Sequence, residues 1–156
     1  MMIAKDVLFI IFIIFIVYVH FPDILCSYRV HKLKKEPLTP FINNYKNLQK
    51  CTSDKVVLSL TTTPDNIKNI TPMFNSLLDQ TVKVNQISLN IPEKCAGKTY
   101  DIPTEYKDIC NIYTTGKDYG MGTKYVPTLL RENECGTKII LLNDNIIYGK
   151  DFIETL

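Results

Sequence analysis

The sequence lacks the cysteine spacing of a zinc site, because it has no CxxC pair and no histidine near a cysteine at metal-binding spacing. The number of cysteines is odd and they are dispersed, which is more typical of free buried thiols than of a disulfide framework. One disulfide stays open as an alternative if the globular part faces an oxidising compartment. The five cysteines are Cys26, Cys51, Cys95, Cys110 and Cys135.

A strong excess of charge is also missing. The net formal charge is +2, without the clustered basic face of a nucleic-acid-binding protein, so we expect no nucleic-acid partner. Internal repeats and low-complexity tracts are absent from the sequence as well. Apolar residues make up 46% and charged residues 22% of the chain, a composition that suits a packed core. A length of 156 residues leaves room for one domain and an appendage.

An unbroken apolar run, Val7 to Val19, lies near the amino terminus. As a helix it would cover roughly 20 Å, less than the roughly 30 Å hydrocarbon core, so it spans a bilayer only with its flanking residues. The run fits an uncleaved, single-pass signal-anchor or the apolar centre of a cleaved signal peptide. A small-residue cleavage site is poorly represented before Cys26, which favours the anchor. We therefore interpret residues 1–25 as a membrane anchor, with a signal peptide as the alternative.

Basic residues follow this run and bear on its orientation. By the positive-inside rule they would hold the globular part in the cytosol. The same charges also fit a solvated stalk or a contact with anionic lipid headgroups, so the side of the membrane stays open. Residues 26–54, which are basic and rich in Asn, are interpreted as a stalk. The basic residues concerned are Arg29, Lys32, Lys34 and Lys35.

From Lys55 onward the pattern predicts alternating strands and helices. One helix is expected to start with Thr71 as N-cap and Pro72 in its first turn, a second helix at Tyr125, and a third near Asp151. Residues 93–106 are expected to form a loop. The predicted strands are 56–60, 86–91, 108–113 and 139–142. This order predicts an α/β fold over residues 55–156, with a Rossmann-like, largely parallel sheet behind an N-terminal transmembrane helix.

Polar segments follow the first and last of these strands. Thr61-Thr62-Thr63-Pro64-Asp65 follows the first, and Asn143-Asp144-Asn145 follows the fourth. In open α/β sheets, ligands bind in the crevice outside the carboxyl ends of the strands. One carboxylate between two amides suits a metal ion or a ribose hydroxyl, although Asn and Asp are also ordinary turn formers.

A glycine-containing segment, Asp118 to Lys124, precedes the second predicted helix. Gly120 and Gly122 would allow the backbone to approach a ligand closely, and Lys124 could meet a phosphate as a point charge. The segment lacks the rest of a dinucleotide-binding fingerprint, and a plain loop fits it as well.

Taken together and in order, five segments of the chain resemble family 2-like glycosyltransferases of GT-A fold. The resemblance covers residues 55–156 and corresponds to the N-terminal, nucleotide-sugar-binding half of that fold. The segments are 57–64, 76–81, 87–92, 117–125 and 140–153.

The resemblance implies a membrane-anchored glycosyltransferase-like protein that transfers, or once transferred, a sugar from a nucleotide-sugar donor, with a UDP-sugar expected. The loop after the first strand would hold the nucleotide, Asp118 the base or ribose, and Lys124 the diphosphate. The triplet after the fourth strand occupies the place of the family's DxD-like motif, which binds ribose and a manganese or magnesium ion. The implied donor-binding residues are Thr61, Thr62, Thr63, Asp65, Asp118, Lys124, Asn143 and Asp144, with Asp144 and Asn145 as metal ligands.

The chain also departs from the family pattern. The triplet has one acid where family members have two or three, and amide oxygens bind hard cations more weakly, so we expect weak metal dependence or none. The domain is expected to be incomplete at its carboxyl end, since the family's acceptor pocket and catalytic base come from a later segment. Catalytic residues, donor sugar, acceptor and linkage are therefore left unassigned. A non-catalytic nucleotide-sugar-binding remnant and a membrane-anchored interaction protein stay open as alternatives.

Overall fold

The structure is a computed structural model that describes residues 2–50 and 54–156, with the side chains of the first helix described from Phe9 onward. The chain divides into two compact units, Met1–Glu36 and Pro37–Leu156. The first unit contains helix α1, and the second contains every strand that the structure describes.

Helix α1 extends over Met2–Lys35 and includes the apolar run. The described apolar side chains of that run, such as Phe12 and Ile14, are exposed. Among the described residues, one stretch, Phe9–Lys35, is long and apolar enough to cross a membrane, although a signal sequence has the same length and composition. The helix continues past residue 25, so the first part of the predicted stalk is helical.

The second unit alternates helices and strands. Two 3₁₀ helices, Thr104–Asp108 and Gly120–Lys124, lie between its regular elements. The regular elements are α2 (Thr39–Lys46), β1 (Val56–Leu60), α3 (Thr71–Leu78), β2 (Gln86–Pro92), β3 (Asn111–Thr115), α4 (Val126–Arg131) and β4 (Lys138–Leu141).

The four strands form one parallel sheet in the order β3-β2-β1-β4. Leu58 of β1 lies between Ile87 of β2 and Ile140 of β4. The parallel sheet confirms the prediction of an α/β fold with a largely parallel sheet. The chain adds β2 and β3 on one side of β1 and then returns to add β4 on the other, so the strand order reverses at β1.

The core of the second unit lies around β1, β2 and α3. Val57 and Leu89 on the strands and Phe74 on α3 are fully buried, as expected for central parallel strands covered on both faces. Helix α2 also contributes to this core, where the Tyr45 hydroxyl accepts a 3.0 Å hydrogen bond from the Val84 amide. Residues 39–46 of the predicted stalk therefore belong to the compact unit.

Two predicted helix positions are wrong in detail. Thr71 is the first residue of α3 and not its N-cap, and its hydroxyl lies 3.0 Å from the Tyr106 hydroxyl. The chain after Asp151 forms turns instead of a helix. The Gln80 side chain explains the turns, because its Nε2 donates to the Gly149 carbonyl at 2.6 Å and its Oε1 accepts from the Ile153 amide at 3.0 Å. Those two backbone groups would otherwise pair within a helix.

Strand β3 also begins later than predicted. It starts at Asn111 and not at residue 108, because Thr104–Asp108 forms a 3₁₀ helix within and beyond the predicted loop. That helix buries Tyr106, which packs against Phe74 with ring centroids 4.8 Å apart and ring planes tilted by 56°. Packing of this aromatic pair therefore decides where the strand begins.

A buried polar network holds α4 on the sheet. The Asn90 side chain of β2 donates to Ser59 Oγ at 2.9 Å and to Thr128 Oγ1 at 3.0 Å, and it accepts a 2.9 Å hydrogen bond from Arg131. The Ser59 hydroxyl also bonds the Lys124 carbonyl. The buried polar atoms of Asn90, Ser59 and Thr128 all gain partners in this network, whereas Arg131 Nε is buried without one among the described residues. The network fixes the position of α4 and of the segment before it.

Candidate functional site

The candidate site lies where the strand order reverses, at the carboxyl ends of β1 and β4. These strands are parallel neighbours, so the loops that follow them, which begin at Thr61 and Leu142, emerge side by side. A crevice at such a reversal is the usual ligand site of open α/β sheets.

Asp144 ties these two loops together. Its Oδ2 accepts a 2.6 Å hydrogen bond from Thr62 Oγ1 and a 2.9 Å hydrogen bond from Asn66 Nδ2. Thr62 is 5% exposed and Asp144 is half-buried, so both bonds are shielded from solvent. Hydrogen bonds to a carboxylate are stronger than neutral ones, and this pair fixes the spacing of the two loops.

Lys124 reaches the same place from the end of the second 3₁₀ helix. Its ammonium donates to Asn143 Oδ1 at 2.7 Å and to the Leu142 carbonyl at 3.3 Å. The buried bond from Ser59 to the Lys124 carbonyl fixes its backbone. A cation is thus held beside the loop that follows β4.

Asp118 lies on the opposite wall and shapes the glycine-containing segment. Its Oδ1 accepts a 2.7 Å hydrogen bond from the Gly120 amide. Gly120 has φ 57°, in the left-handed region that favours glycine. Gly120 therefore forms a turn between Asp118 and Lys124, and both of these residues line one cavity.

A hairpin that sequence reasoning missed forms a third wall. Cys95 and Lys98 exchange backbone hydrogen bonds of 3.0 and 2.9 Å across a two-residue turn, in which Ala96 has φ 48° and Gly97 has φ 79°. A turn with a positive φ at both central positions is usually signalled by Asn-Gly, Asp-Gly or Gly-Gly, and Ala96-Gly97 supplies only the glycine of that signal.

Tyr100 follows this hairpin and closes it onto the first loop. Its hydroxyl donates to the Thr62 carbonyl at 3.0 Å. Burial, reinforced by the nearby Cys95, raises the pKa of the Tyr100 phenol far above its ordinary value, so the phenol stays protonated and keeps donating. No local sequence signal points to Tyr100, because its partner lies 38 positions away in the chain.

These walls enclose a cavity of about 310 Å³. That volume falls at the lower end of the roughly 300–1,000 Å³ typical of small-molecule sites. Seven of the eight residues predicted to bind the donor line it, namely Thr61, Thr62, Thr63, Asp118, Lys124, Asn143 and Asp144. Gly120, expected near a ligand, also lines it, and six residues that were not predicted complete the lining, namely Pro92, Cys95, Tyr100, Met121, Thr123 and Leu142.

The other predicted residues lie elsewhere. The Asp65 carboxylate pairs with the Lys98 ammonium at 2.8 and 2.7 Å, and both side chains are largely exposed. Asp65 therefore anchors the hairpin from outside the cavity. Asn145 is exposed and does not line the cavity either, so the two predicted metal ligands do not converge there.

The donor set fits a divalent metal ion poorly. Among the described residues, no group of three His, Cys, Asp or Glu side chains could hold one. Asp144 already accepts two hydrogen bonds on one oxygen, and the Asn143 amide oxygen already faces an ammonium. Magnesium and manganese prefer about six oxygen ligands with carboxylates among them, which these two residues do not supply.

A second cavity, of about 280 Å³, lies at the opposite, amino-terminal ends of β2 and β3. None of the predicted site residues lines it. Burial raises the pKa of the Tyr45 phenol and of the Cys110 thiol there, each to about 12. Both groups are neutral at physiological pH, so neither is an activated nucleophile.

Comparison of the chain with protein-family models, with curated proteins and with solved structures finds no match. The functional proposal therefore depends on the residues and on the geometry of the cavity.

Proposed function

We propose that the cavity between the β1 and β4 loops binds a nucleotide sugar, and that the protein is a membrane-anchored, glycosyltransferase-like protein with a Rossmann-like, GT-A-type half-domain. The main observation in support of this proposal is that residues far apart in the chain converge on one cavity. Residues from three separate stretches, 61–63, 118–124 and 143–144, line one cavity at the point where the strand order reverses. Those stretches are the ones that the family resemblance assigns to the donor.

The chemistry of the walls supports such a ligand. Lys124 offers a cation for a phosphate, and the hydroxyl-bearing residues Thr61 and Thr63 line the same cavity. Met121 and Pro92 add apolar surface against which a base or a sugar ring can pack. A nucleotide sugar combines these features, since it carries phosphates, hydroxyls and a flat base in one molecule.

Sugar transfer would break the bond between the anomeric carbon and the donor phosphate and form a bond to an acceptor oxygen. The acceptor proton must pass to a base. Asp144 is held by Thr62 and Asn66, and Asp118 accepts from Gly120, so neither carboxylate of the cavity is assigned as that base. This observation favours a second candidate function, a nucleotide-sugar-binding protein without turnover.

Calorimetry on the full chain in detergent micelles tests the proposal, with UDP-glucose, UDP-N-acetylglucosamine and GDP-mannose as probes. We expect saturable binding of at least one probe. Thr61→Trp should abolish it by filling the cavity, and Leu130→Trp, at an exposed position on α4, should preserve it. Equal binding by both variants, or no binding by the wild type, would contradict the proposal.

A donor hydrolysis assay on the same preparation separates the two candidates. Release of free sugar that Thr61→Trp abolishes favours the transferase. Binding without release favours the non-catalytic protein.

A further inference from the structure

We infer that Lys124, and not a divalent ion, is the cation of the donor site, so that one phosphate group is bound there and a second phosphate adds little. This inference rests on the proposed function and concerns how the ligand's charge is met. It starts from the roles that Asp144 and Lys124 already have in the structure.

Asp144 acts as a tie between loops. Thr62 and Asn66 both donate to its Oδ2, at 2.6 and 2.9 Å, and they come from the segment that follows β1. A metal ion bound at this carboxylate would compete with those two donors for the negative charge. Ligation would therefore weaken the contacts that hold the two loops at their spacing.

The amide beside it already faces a cation. Asn143 Oδ1 accepts from the Lys124 ammonium at 2.7 Å. A divalent ion on the same oxygen would stand against that ammonium at short range, and two positive charges repel there. Of the two triplet residues that line the cavity, Asn143 thus contacts a lysine, and Asp144 is bonded to Thr62 and Asn66.

Lys124 has the capacity for a ligand. An ammonium has three protons, and the Leu142 carbonyl and Asn143 Oδ1 take two of them, which leaves one for a phosphate oxygen. Lys124 is also the one cationic side chain among the described residues that line the cavity. Any phosphate in this cavity therefore meets its positive charge at Lys124.

The charge of the cavity limits how much phosphate it can hold. Its lining carries one lysine against two carboxylates, Asp118 and Asp144. One phosphate group can contact the Lys124 ammonium directly, which offsets part of the phosphate's charge of about −1.5 to −2. A second phosphate would find no further cation and would be repelled by the carboxylates, so a nucleoside diphosphate should gain little over the monophosphate.

Calorimetry of uridine, UMP and UDP with the full chain in detergent micelles tests the inference, once in EDTA and once with manganese chloride. We expect UMP and UDP to bind in EDTA with affinities that agree within about threefold. Manganese should leave both affinities unchanged. Each nucleotide should bind about 10-fold to 100-fold more tightly than uridine, as expected for a charge-assisted hydrogen bond to phosphate. Manganese titration followed by electron paramagnetic resonance should show no stoichiometric uptake in the presence of UMP.

Three lysine variants complete the test. Lys124→Met should remove the preference for UMP over uridine, and Lys124→Arg should restore part of it because the charge returns. Lys107→Met, at an exposed position near the opposite end of the sheet, should retain the wild-type preference. Matching near-ultraviolet circular dichroism spectra ensure that the variants are folded.

The outcomes separate this inference from the proposed function. The inference is overturned, and the proposed function stands, if UMP and UDP bind only in the presence of manganese. The same holds if manganese makes the affinity for UDP more than about tenfold higher than the affinity for UMP. A metal-free preference for UMP over uridine that Lys124→Met retains also overturns the inference. If uridine, UMP, UDP and the sugar nucleotides all fail to bind under either condition, both proposals fall.

Discussion

Thr62 Oγ1 donates a 2.6 Å hydrogen bond to Asp144 Oδ2, and this contact joins the loop after the central strand β1 to the loop after the edge strand β4. The two residues lie 82 positions apart in the chain. Parallel pairing of β1 with β4 brings their following loops together, and the hydrogen bond then sets the width of the cavity between them.

The Thr62–Asp144 bond gives the first prediction. Thr62→Val keeps the shape of the side chain and removes its donor, so the carboxylate keeps only Asn66. We expect the free energy of unfolding to fall by about 1–3 kcal/mol, as for a hydrogen bond to a charged group in a shielded place. Urea denaturation followed by circular dichroism measures the change.

Thr63→Val is the matched control for that experiment. Thr63 lies in the same loop, but its side chain is exposed. Its replacement should change the free energy of unfolding by less than about 0.5 kcal/mol. Equal losses in the two variants would mean that the Thr62 hydroxyl does not stabilise the loop pair.

Asp65 gives a prediction about binding. Its carboxylate pairs with Lys98 on the exposed side of the hairpin, outside the cavity. We expect Asp65→Asn to leave the affinity for a bound nucleotide within about twofold and to cost about 0–1 kcal/mol of stability, as for other exposed ion pairs. A larger loss of affinity in calorimetry would show that Asp65 acts on the ligand, as the family resemblance implies.

The core around β2 gives a prediction of stability. Leu89 has no exposed surface and pairs across the sheet with Leu60 and Ile112. Leu89→Ala should lower the free energy of unfolding by about 2–5 kcal/mol, through lost apolar burial and a new cavity. Leu130→Ala, at a position 76% exposed, should cost less than about 0.5 kcal/mol. Similar losses in urea denaturation would contradict the burial of β2.

Tyr45 links stability to alkaline pH. Burial, offset in part by the hydrogen bond from the Val84 amide, raises its pKa from an unfolded value near 10 to about 12. The unfolded chain then loses this proton first, so stability is full below pH 10 and falls between pH 10 and about 12.

Tyr45→Phe tests this linkage. It should cost about 1 kcal/mol at neutral pH through the lost hydrogen bond. The variant should also lose less of its free energy of unfolding at alkaline pH. The difference in this free energy between variant and wild type should therefore shrink as the pH rises from 10 to 12. Urea denaturation over that pH range measures both effects, and parallel declines would contradict the raised pKa.

The apolar part of α1 gives a prediction of localisation. Ile14→Lys places a charge within the exposed apolar surface, which costs about 2.5–3.5 kcal/mol at a bilayer centre. We expect the variant chain to move from the carbonate-resistant membrane pellet into the soluble fraction. Tyr28→Lys, in the same helix beyond the apolar run, should remain in the pellet. A soluble wild-type chain with a shortened amino terminus, measured by mass spectrometry, would favour the signal peptide.

Local patterns were sufficient for several elements of the second unit. Strand β1 has its predicted bounds, Val56–Leu60, because an uninterrupted apolar run ends just before a polar, proline-containing segment. Met73, Phe74, Leu77 and Leu78 of α3 follow helical spacing in the sequence, and all four are buried. The beginning of β3 and the turns after Asp151 were not predictable in this way, because Tyr106 and Gln80 determine them through contacts with distant parts of the chain.

Sequence by itself determined the alternation of strands and helices, the apolar segment of α1, and most of the side chains that line the cavity. These depend on residues close together in the chain, whose periodicity and turn chemistry act locally. Tertiary structure alone decided that Tyr100 and the Cys95–Lys98 hairpin close the cavity, that Asp65 faces away from it, and that Asp144 is bonded to Thr62 and Asn66. Each of these depends on hydrogen bonds between residues that only the packing of the sheet and its loops brings within reach.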